Sequence, residues 1–464
     1  MDGSFDMVVL GAGSGGYACA LRAAQLGSRV ALVEKDLVGG TCLHRGCIPT
    51  KAYLHAAEVA DAARDGARFG VHATLDRVDL GEVRSYADGV VSRLYKGLTG
   101  LVEQRGITVV SGEGRLVGGD PVAVTVGDDR LTAPAIVLAT GSTSRTLPGL
   151  EIDGVRVLTS EHALRLDRLP ASVIVLGGGV IGVEFASAWR SFGVEVTVVE
   201  ALPRLVPNEE PEASAALQRA FRKRKINTVT GNGFAGVRTA DDGVTVTLAD
   251  GSELTAEILL VAVGRGPVSS GLGYEEAGIA LDRGFVFTDE RLATSVPSVY
   301  AVGDLVPGLQ LAHRGFAQGI FLAEDLAHRA GRLDRPPVPV VDRDIPRVTY
   351  SHPEIASVGL GEEAARAAYG EIETLTYDLG GNGKSQILKT QGFVKLVRRA
   401  DGPVVGIHIV GARAGELIGE AQLITNWDAY PSDVASLIHA HPTQNEALGE
   451  AHLALAGKPL HVHG

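Results

Sequence analysis

The 464-residue chain has three cysteines, no membrane-length apolar run and no long block of like charge. With only Cys19, Cys42 and Cys47, a disulfide-stapled framework is excluded. In a reducing compartment a close cysteine pair is more often catalytic or metal-binding than structural. No apolar stretch approaches the ~20 residues that a membrane helix needs. The N-terminus runs into a strand-like segment, Phe5 to Leu10, without a basic-plus-apolar signal. The expectation is a cytoplasmic protein with no membrane association. A net charge of −12 favours solubility and argues against nucleic acid as a partner. There is no collagen-like period and no Gly/Ser tract, yet glycine numbers 60. That is nearly twice an average share of roughly 7%, and it implies many tight turns and close backbone approaches.

Length alone suggests about three domains. Two segments share one layout. Met7 to Leu10 leads into Gly11, Gly13 and Gly16, an Ala-rich helical stretch, and a second apolar run ending at Glu34. Val173 to Leu176 leads into Gly177, Gly179 and Gly182, a helical stretch, and a second run ending at Glu200. In each copy the acid lies 23 positions after the first glycine. One such loop is weak evidence, but strand, glycines, helix, strand and acid repeated at equal spacing point to two dinucleotide sites. The first glycine permits the tight turn, the second lets backbone approach a pyrophosphate, and the third lets helix and strand pack closely. The helix N-terminus favours the anion, and the acid accepts hydrogen bonds from a ribose. Glu200 would repel a 2′-phosphate, so NAD is expected there rather than NADP; Arg204, beyond Pro203, is a poor substitute for a phosphate-binding arginine.

Residues 52–106 read as two long helices. Short buried strands recur before Gly141, Gly264 and Gly303, and the proline-rich stretch Arg332 to Pro346 reads as a linker. Beyond it, alternating strand patterns (Phe393 to Val397, Val404 to Val410) precede helices, as in a separate sheet-and-helix domain.

The most informative segment is Gly39-Gly-Thr-Cys42-Leu-His-Arg-Gly-Cys47-Ile-Pro-Thr-Lys51. A cysteine-only zinc site cannot be completed from this pair, and no metal is expected. Five residues of regular helix rise about 7.5 Å, beyond the ~7 Å that a disulfide spans, so pairing needs an irregular backbone. Gly46 supplies that freedom, and Pro49 fits a helix's first turn, placing Cys47 at a helix N-terminus where a thiolate is stabilised. Two reduced structural cysteines are the alternative. Cys19 reads as a small buried apolar residue.

These motifs, together with Ala139-Thr-Gly-Ser142, Ala262-Val-Gly-Arg-Gly-Pro267, Tyr300-Ala-Val-Gly-Asp304 and His439-Ala-His-Pro-Thr443, resemble the pyridine nucleotide–disulfide oxidoreductases along essentially the whole chain. The likeness is greatest to the branch that oxidises dihydrolipoamide. It implies an α/β fold with two Rossmann-like dinucleotide-binding domains and a C-terminal α+β dimerisation domain. The expected order is an FAD-binding domain over 1–150, an NAD-binding domain over 151–270, the second part of the FAD-binding domain over 271–340, and the interface domain over 341–464.

By the same resemblance, the first loop and Glu34 hold the adenosine half of FAD, Gly114 passes near the adenine, and Asp304 bonds the ribityl chain. The second loop and Glu200 hold NAD. Cys47 faces the flavin, Cys42 exchanges with substrate, and Lys51 and Glu184 form the ion pair beside the flavin's reactive nitrogen. Thr41, Gly141, Gly264 and Ala312 complete the cofactor-contacting set. His441 is the implied base, oriented by Glu446 one turn into the helix that follows Pro442, and it serves the other subunit of a homodimer. Lipoyl domains of a 2-oxo acid dehydrogenase complex, or a glycine-cleavage carrier, are the implied partners. Two residues depart from the pattern: Asn445 stands where the family has Ser, and the bulky Phe316 follows His313. The rival readings are an NADH-dependent reductase of quinones or metals that bypasses the thiols, and a non-catalytic docking subunit.

Overall fold

A computed structural model describes residues 5–461. The chain divides into two compact units, one of residues 1–53, 81–145 and 264–342, the other of residues 54–80, 146–263 and 343–464.

The first unit is built on a five-stranded parallel sheet in the order Val299–Ala301, Ala135–Leu138, Met7–Leu10, Val30–Glu34, Thr108–Ser111. Its central strands are continuous apolar runs because a parallel sheet is covered on both faces; Val8, Val9, Leu32, Val33 and Val137 are all fully buried. The helices Ser14–Gln25 and Ala312–Arg329 pack at close range. A Cβ on Gly319 would lie 2.3 Å from the Gly15 carbonyl oxygen. Cys19 lies inside this core, where burial pushes its thiol up to about 12. A three-stranded antiparallel sheet, Gly114–Val117, Ala123–Val126 and Asp129–Thr132, completes the unit's main framework.

The second unit repeats the parallel sheet, in the order Asn227–Thr230, Glu195–Glu200, Ser172–Leu176, Ile258–Val261, Val157–Leu158. It adds a five-stranded antiparallel sheet in the order Arg347–Thr349, Glu354–Gly359, Val404–Gly411, Phe393–Arg399, Ile372–Asp378. Every residue of Val404–Gly411 is buried, consistent with its place at the centre of that sheet. The helices Ala414–Asn426 and Glu446–Leu455 pack on the same core through Ile418, Ala421, Ala447, Leu448 and Ala451. On the strand Phe393–Arg399, Lys395 is buried and paired with Glu210 (2.7 Å), Glu212 (2.9 Å) and Glu362 (3.0 Å), so its ammonium offsets part of that cluster's negative charge. Among the described residues no helix is long and apolar enough to cross a membrane.

The long helices expected over 52–106 are Cys47–Asp65 and Leu80–Gln104. The central parallel strands follow the sequence pattern closely, because strands such as Met7–Leu10, Ala135–Leu138 and Ile258–Val261 are short continuous apolar runs.

Candidate active site

The two glycine loops are near copies. Gly11 and Gly177 turn the chain at φ 102° and 111°, a region that favours glycine. A Cβ on Gly16 or on Gly182 would lie 1.9 Å from the carbonyl oxygen of Gly11 or Gly177, so the third glycine is required by the helix's approach to its own strand. Gly13 and Gly179 are the N-caps of their helices, with no capping side chain, and each has open space where a Cβ would stand. Free helical N–H groups below an open, side-chain-free surface fit a pyrophosphate at both loops.

The acids behave alike too. Glu34 accepts hydrogen bonds from the N–H of Ala12 (2.7 Å) and of Asp36 (2.9 Å). Glu200 accepts from Gly178 (2.7 Å) and Leu202 (2.8 Å). Each carboxylate is thereby aimed beside its loop with lone pairs left for ribose hydroxyls. Arg204 donates to the carbonyls of Glu209 and Pro207 and to Ser214 Oγ, so its guanidinium holds the local turn together.

In the first unit the cysteine segment sits on the first loop. Gly39 donates its N–H to the Ala12 carbonyl (2.8 Å). Next to it, a Cβ on Gly40 would lie 2.6 Å from Gly13 Cα, so these two glycines let one backbone lie on the other. The short helix Gly40–Arg45 carries Thr41 and Cys42, breaks at Gly46 (φ −134°, ψ −111°), and a new helix opens at Cys47. Gly46 therefore gives the irregularity the pair requires, and Cys47 stands at a helix N-terminus. Neither cysteine is in a disulfide in this structure, and a hydrogen bond joins the two side chains. Loss of the Cys42 proton is strongly opposed by that bond to Cys47, by burial and by charge on Cys47, with Lys51 pulling the other way. His44 fixes the short helix by hydrogen-bonding the Val38 carbonyl (3.0 Å) and meeting Tyr95 edge-on.

Asp304 accepts from Ser142 Oγ (2.6 Å), which in turn accepts from Arg265 Nε (2.8 Å). This chain links the segments of Gly141 (φ 70°), Gly264 (φ 102°) and Gly303, three turns at strand ends. Ala312 opens the helix Ala312–Arg329. Phe316, one of the two departures, packs its ring against Tyr17 at 5.5 Å. Gly114 is buried against Leu10 and Val33, where a Cβ would come within 2.4 and 2.8 Å of their side chains.

The second unit holds the rest of the predicted set. Glu184 is buried and accepts the Tyr350 N–H (2.9 Å). His441 Nδ1 lies 2.8 Å from Glu446 Oε1, and the Thr443 N–H donates to Glu446 Oε2 at 2.6 Å. Burial pulls the Glu446 carboxyl upward, but Thr443 and His441 outweigh it and hold the group below the ordinary carboxylate range. The helix differs from expectation: it begins at Glu446 itself, with Asn445 as N-cap, so Glu446 is its first residue. Thr443 Oγ1 bonding the Ala440 carbonyl (2.7 Å) keeps residues 441–445 in a turn. The His441 side chain is 78% exposed. Farther along the same helix, His452 is fully buried, bonds the Leu448 carbonyl through Nδ1, and has no hydrogen-bond partner for Nε2 among the described residues; burial pushes it down to about 4.

The predicted residues thus divide between the units. Gly11, Gly13, Gly16, Glu34, Thr41, Cys42, Cys47, Lys51, Gly114, Gly141, Gly264, Asp304 and Ala312 belong to the first, and Gly177, Gly179, Gly182, Glu184, Glu200, His441 and Glu446 to the second. Sequence reasoning passed over Ser142, Arg265 and Glu420. The first two sit inside motifs that were read for their glycines; Glu420 lies in an ordinary helical stretch with no motif to mark it.

A dithiol on a dinucleotide loop, a second such loop, and a carboxylate-held histidine define a nucleotide-linked disulfide oxidoreductase. The pyridine nucleotide–disulphide oxidoreductase family model matches residues 5–319 and its dimerisation domain residues 345–452. The chain belongs to this family. It is similar to the dihydrolipoyl dehydrogenase of Bacillus subtilis (39% identity, 98% of this chain and 99% of the relative) and to that of Chlorobaculum parvum (41%, 97% of each). Among solved structures it is similar to LpdA of Mycobacterium tuberculosis, with TM-score 0.89 and 28% identity over 97% of this chain and 99% of the other. The Cu(II) complex of the HOCl-induced flavoprotein disulfide reductase of Escherichia coli gives TM-score 0.86 and 25% identity, over 98% of this chain and 100% of that one.

Proposed function

We propose that the chain is a dihydrolipoyl dehydrogenase, carrying electrons from dihydrolipoamide through Cys42 and Cys47 and FAD to NAD. The observation that carries this reading is the hydrogen-bonded cysteine pair, split by Gly46 and laid by Gly39 and Gly40 on the first dinucleotide loop. FAD would be held by the first loop, Glu34, Thr41, Lys51, Gly114, Gly141, Asp304 and Ala312. NAD would be held by the second loop and Glu200; Glu184 is assigned with Lys51 to the flavin, and Gly264 to the cofactor-contacting set. Bound flavin supplies two-electron acceptance from a thiolate and hydride donation to the nicotinamide.

The chain's own residues do the thiol chemistry. Glu446 holds His441 through Nδ1, leaving Nε2 to take the proton of a substrate thiol, since only the thiolate attacks a disulfide sulfur. The substrate thiolate attacks Cys42 Sγ of the oxidised pair, and Cys47 departs as a thiolate. The second substrate thiol then closes the oxidised ring by displacing Cys42; of the two protons the substrate gives up, one passes by way of His441 to Cys42 and the other is released to solvent. The product is a Cys42 thiol beside a Cys47 thiolate, an arrangement favoured by the strong opposition to loss of the Cys42 proton. With its side chain 78% exposed on a single chain, His441 is suited to serve the disulfide of a second subunit, in a homodimer joined through the C-terminal domain. Lipoyl domains in the cytoplasm are the electron donors in this reading.

The test is turnover of dihydrolipoamide with NAD, measured beside NADH-driven reduction of a quinone and of Cu(II). Rapid lipoamide turnover that vanishes in Cys42→Ser supports the assignment. Robust quinone or Cu(II) reduction without lipoamide turnover would replace it with the reductase reading, which the likeness to the E. coli enzyme favours more weakly than 39–41% identity favours the first.

A further inference from the structure

Asn445, the residue that departs from the family pattern, does not cap its helix with its side chain. Its Nδ2 donates instead to Glu420 Oε2 on the neighbouring helix Ala414–Asn426. The other oxygen of the same carboxylate, Oε1, is 2.8 Å from His439 Nε2. His439 lies against the helix at Gly449, where a Cβ would come within 2.5 Å of its Nδ1; the ring has its place because that position lacks a side chain. The His439 and Glu420 side chains are 11% and 24% exposed, whereas His441 between the two anchor points is 78% exposed.

Resting on the reading of His441 as the base, we infer that Glu420 is a positioning residue: its two carboxylate oxygens hold both ends of the segment His439–Asn445 and so fix where His441 stands. The segment would otherwise be held mainly from its middle, by Asn382 donating to the Thr443 carbonyl (3.0 Å) and by the Thr443–Glu446 bond. An exposed base gains little from packing, so tethers at its flanks are what restrict its wandering. Burial pulls the Glu420 carboxyl up, but His439 and Asn445 outweigh it and keep the group below the ordinary range, so both tethers are charge-assisted at neutral pH. Asn445 contributes what a shorter Ser would not, an amide long enough to span the gap to the next helix.

The experiment uses FAD-loaded, dimeric enzyme and compares Glu420→Ala, Glu420→Gln, Asn445→Ala and Asn445→Asp. Glu420→Ala is expected to lower kcat for dihydrolipoamide by about tenfold to a hundredfold, the scale of a catalytic group displaced by ~1 Å. NADH-driven quinone reduction and the KM for NAD should not move. Glu420→Gln, which can still meet both partners, should recover most of kcat. Asn445→Asp should be worse than Asn445→Ala, because it sets a carboxylate against Glu420; a purely space-filling role would order them the other way. Should Glu420→Ala fail to fold, the two Asn445 variants decide the matter by that order. Wild-type kcat in Glu420→Ala, or Asn445→Ala at or below Asn445→Asp, would overturn the inference. If instead the unmodified enzyme lacks lipoamide turnover, or His441→Gln leaves it intact, the functional reading itself has failed.

Discussion

The two glycine loops have the same turn, the same helix start and the same acid, and they differ in what is built on top of them. In each, a later N–H closes onto the carbonyl of the loop's second residue. In the first copy that N–H belongs to Gly39, at the head of the cysteine segment. In the second it belongs to Val206, which leads to the helix Pro211–Lys223. One scaffold position thus anchors the cysteine-bearing helix in one case and an ordinary packing helix in the other. The dinucleotide loop is a generic part, and the chemistry resides in the segment that its second carbonyl holds. The second residue also differs. It is Ala12 in the first copy and Gly178 in the second, where a Cβ would come within 2.6 Å of Leu205 Cδ2 and 3.0 Å of Glu200 Cβ.

The largest effect should come from removing what only the first copy carries. Cys42→Ser is expected to abolish lipoamide turnover while flavin stays bound, as read from steady-state rates and the visible spectrum. Next come the shared third glycines. Gly16→Ala and Gly182→Ala both place a methyl 1.9 Å from a carbonyl oxygen, so each should lose its own nucleotide. The first should purify without FAD. The second should keep FAD but reduce NAD at least ~100-fold more slowly, the scale of a disrupted positioning contact. Loss of FAD from both would erase the distinction between the copies. Glu200→Gln should raise the KM for NAD about tenfold, since a bond to a charged acceptor is worth ~1.5–3 kcal/mol. It should also improve NADP, which the carboxylate repels. The smallest effect separates the second residues. Gly178→Ala should weaken NAD several-fold through Leu205 and Glu200, whereas Ala12→Gly should cost only the ~0.5–1 kcal/mol of added chain freedom in a melting experiment.

Much of this was legible in the sequence because it is written in short-range pattern. Uninterrupted apolar runs marked the parallel strands, glycine spacing marked the turns, and Gly46 and Pro49 marked the helix break between the cysteines. The start of the last helix was not legible. Pro442 resembles a first-turn proline, but Thr443 folds back onto Ala440 and delays the helix to Glu446. Glu420 was also invisible. Its role depends on two partners 19 and 25 positions away on another element, and no local pattern encodes such a meeting. Asn445 stood out only as a departure, and its partner supplies the reason for the longer side chain.

His439 and His452 lie near one another and respond to acid with opposite sign. The bond to Glu420 raises the affinity of His439 for a proton, so its contribution to stability is fully present below the unfolded value of 6.5 and fades as pH rises through its higher folded value. Burial lowers that of His452 to about 4, so between pH 6.5 and 4 the unfolded chain takes a proton that the folded chain refuses. At 1.36 kcal/mol per unit, that shift removes about 3 kcal/mol across the window. As the medium is acidified, stability should first rise and then fall, with this pair setting a maximum near the ordinary histidine value. Thermal melts across pH 4–8 should show the acid limb flatten in His452→Gln and the alkaline limb flatten in Glu420→Gln. The region around the Glu446–Leu455 helix therefore has an optimum acidity for holding its shape.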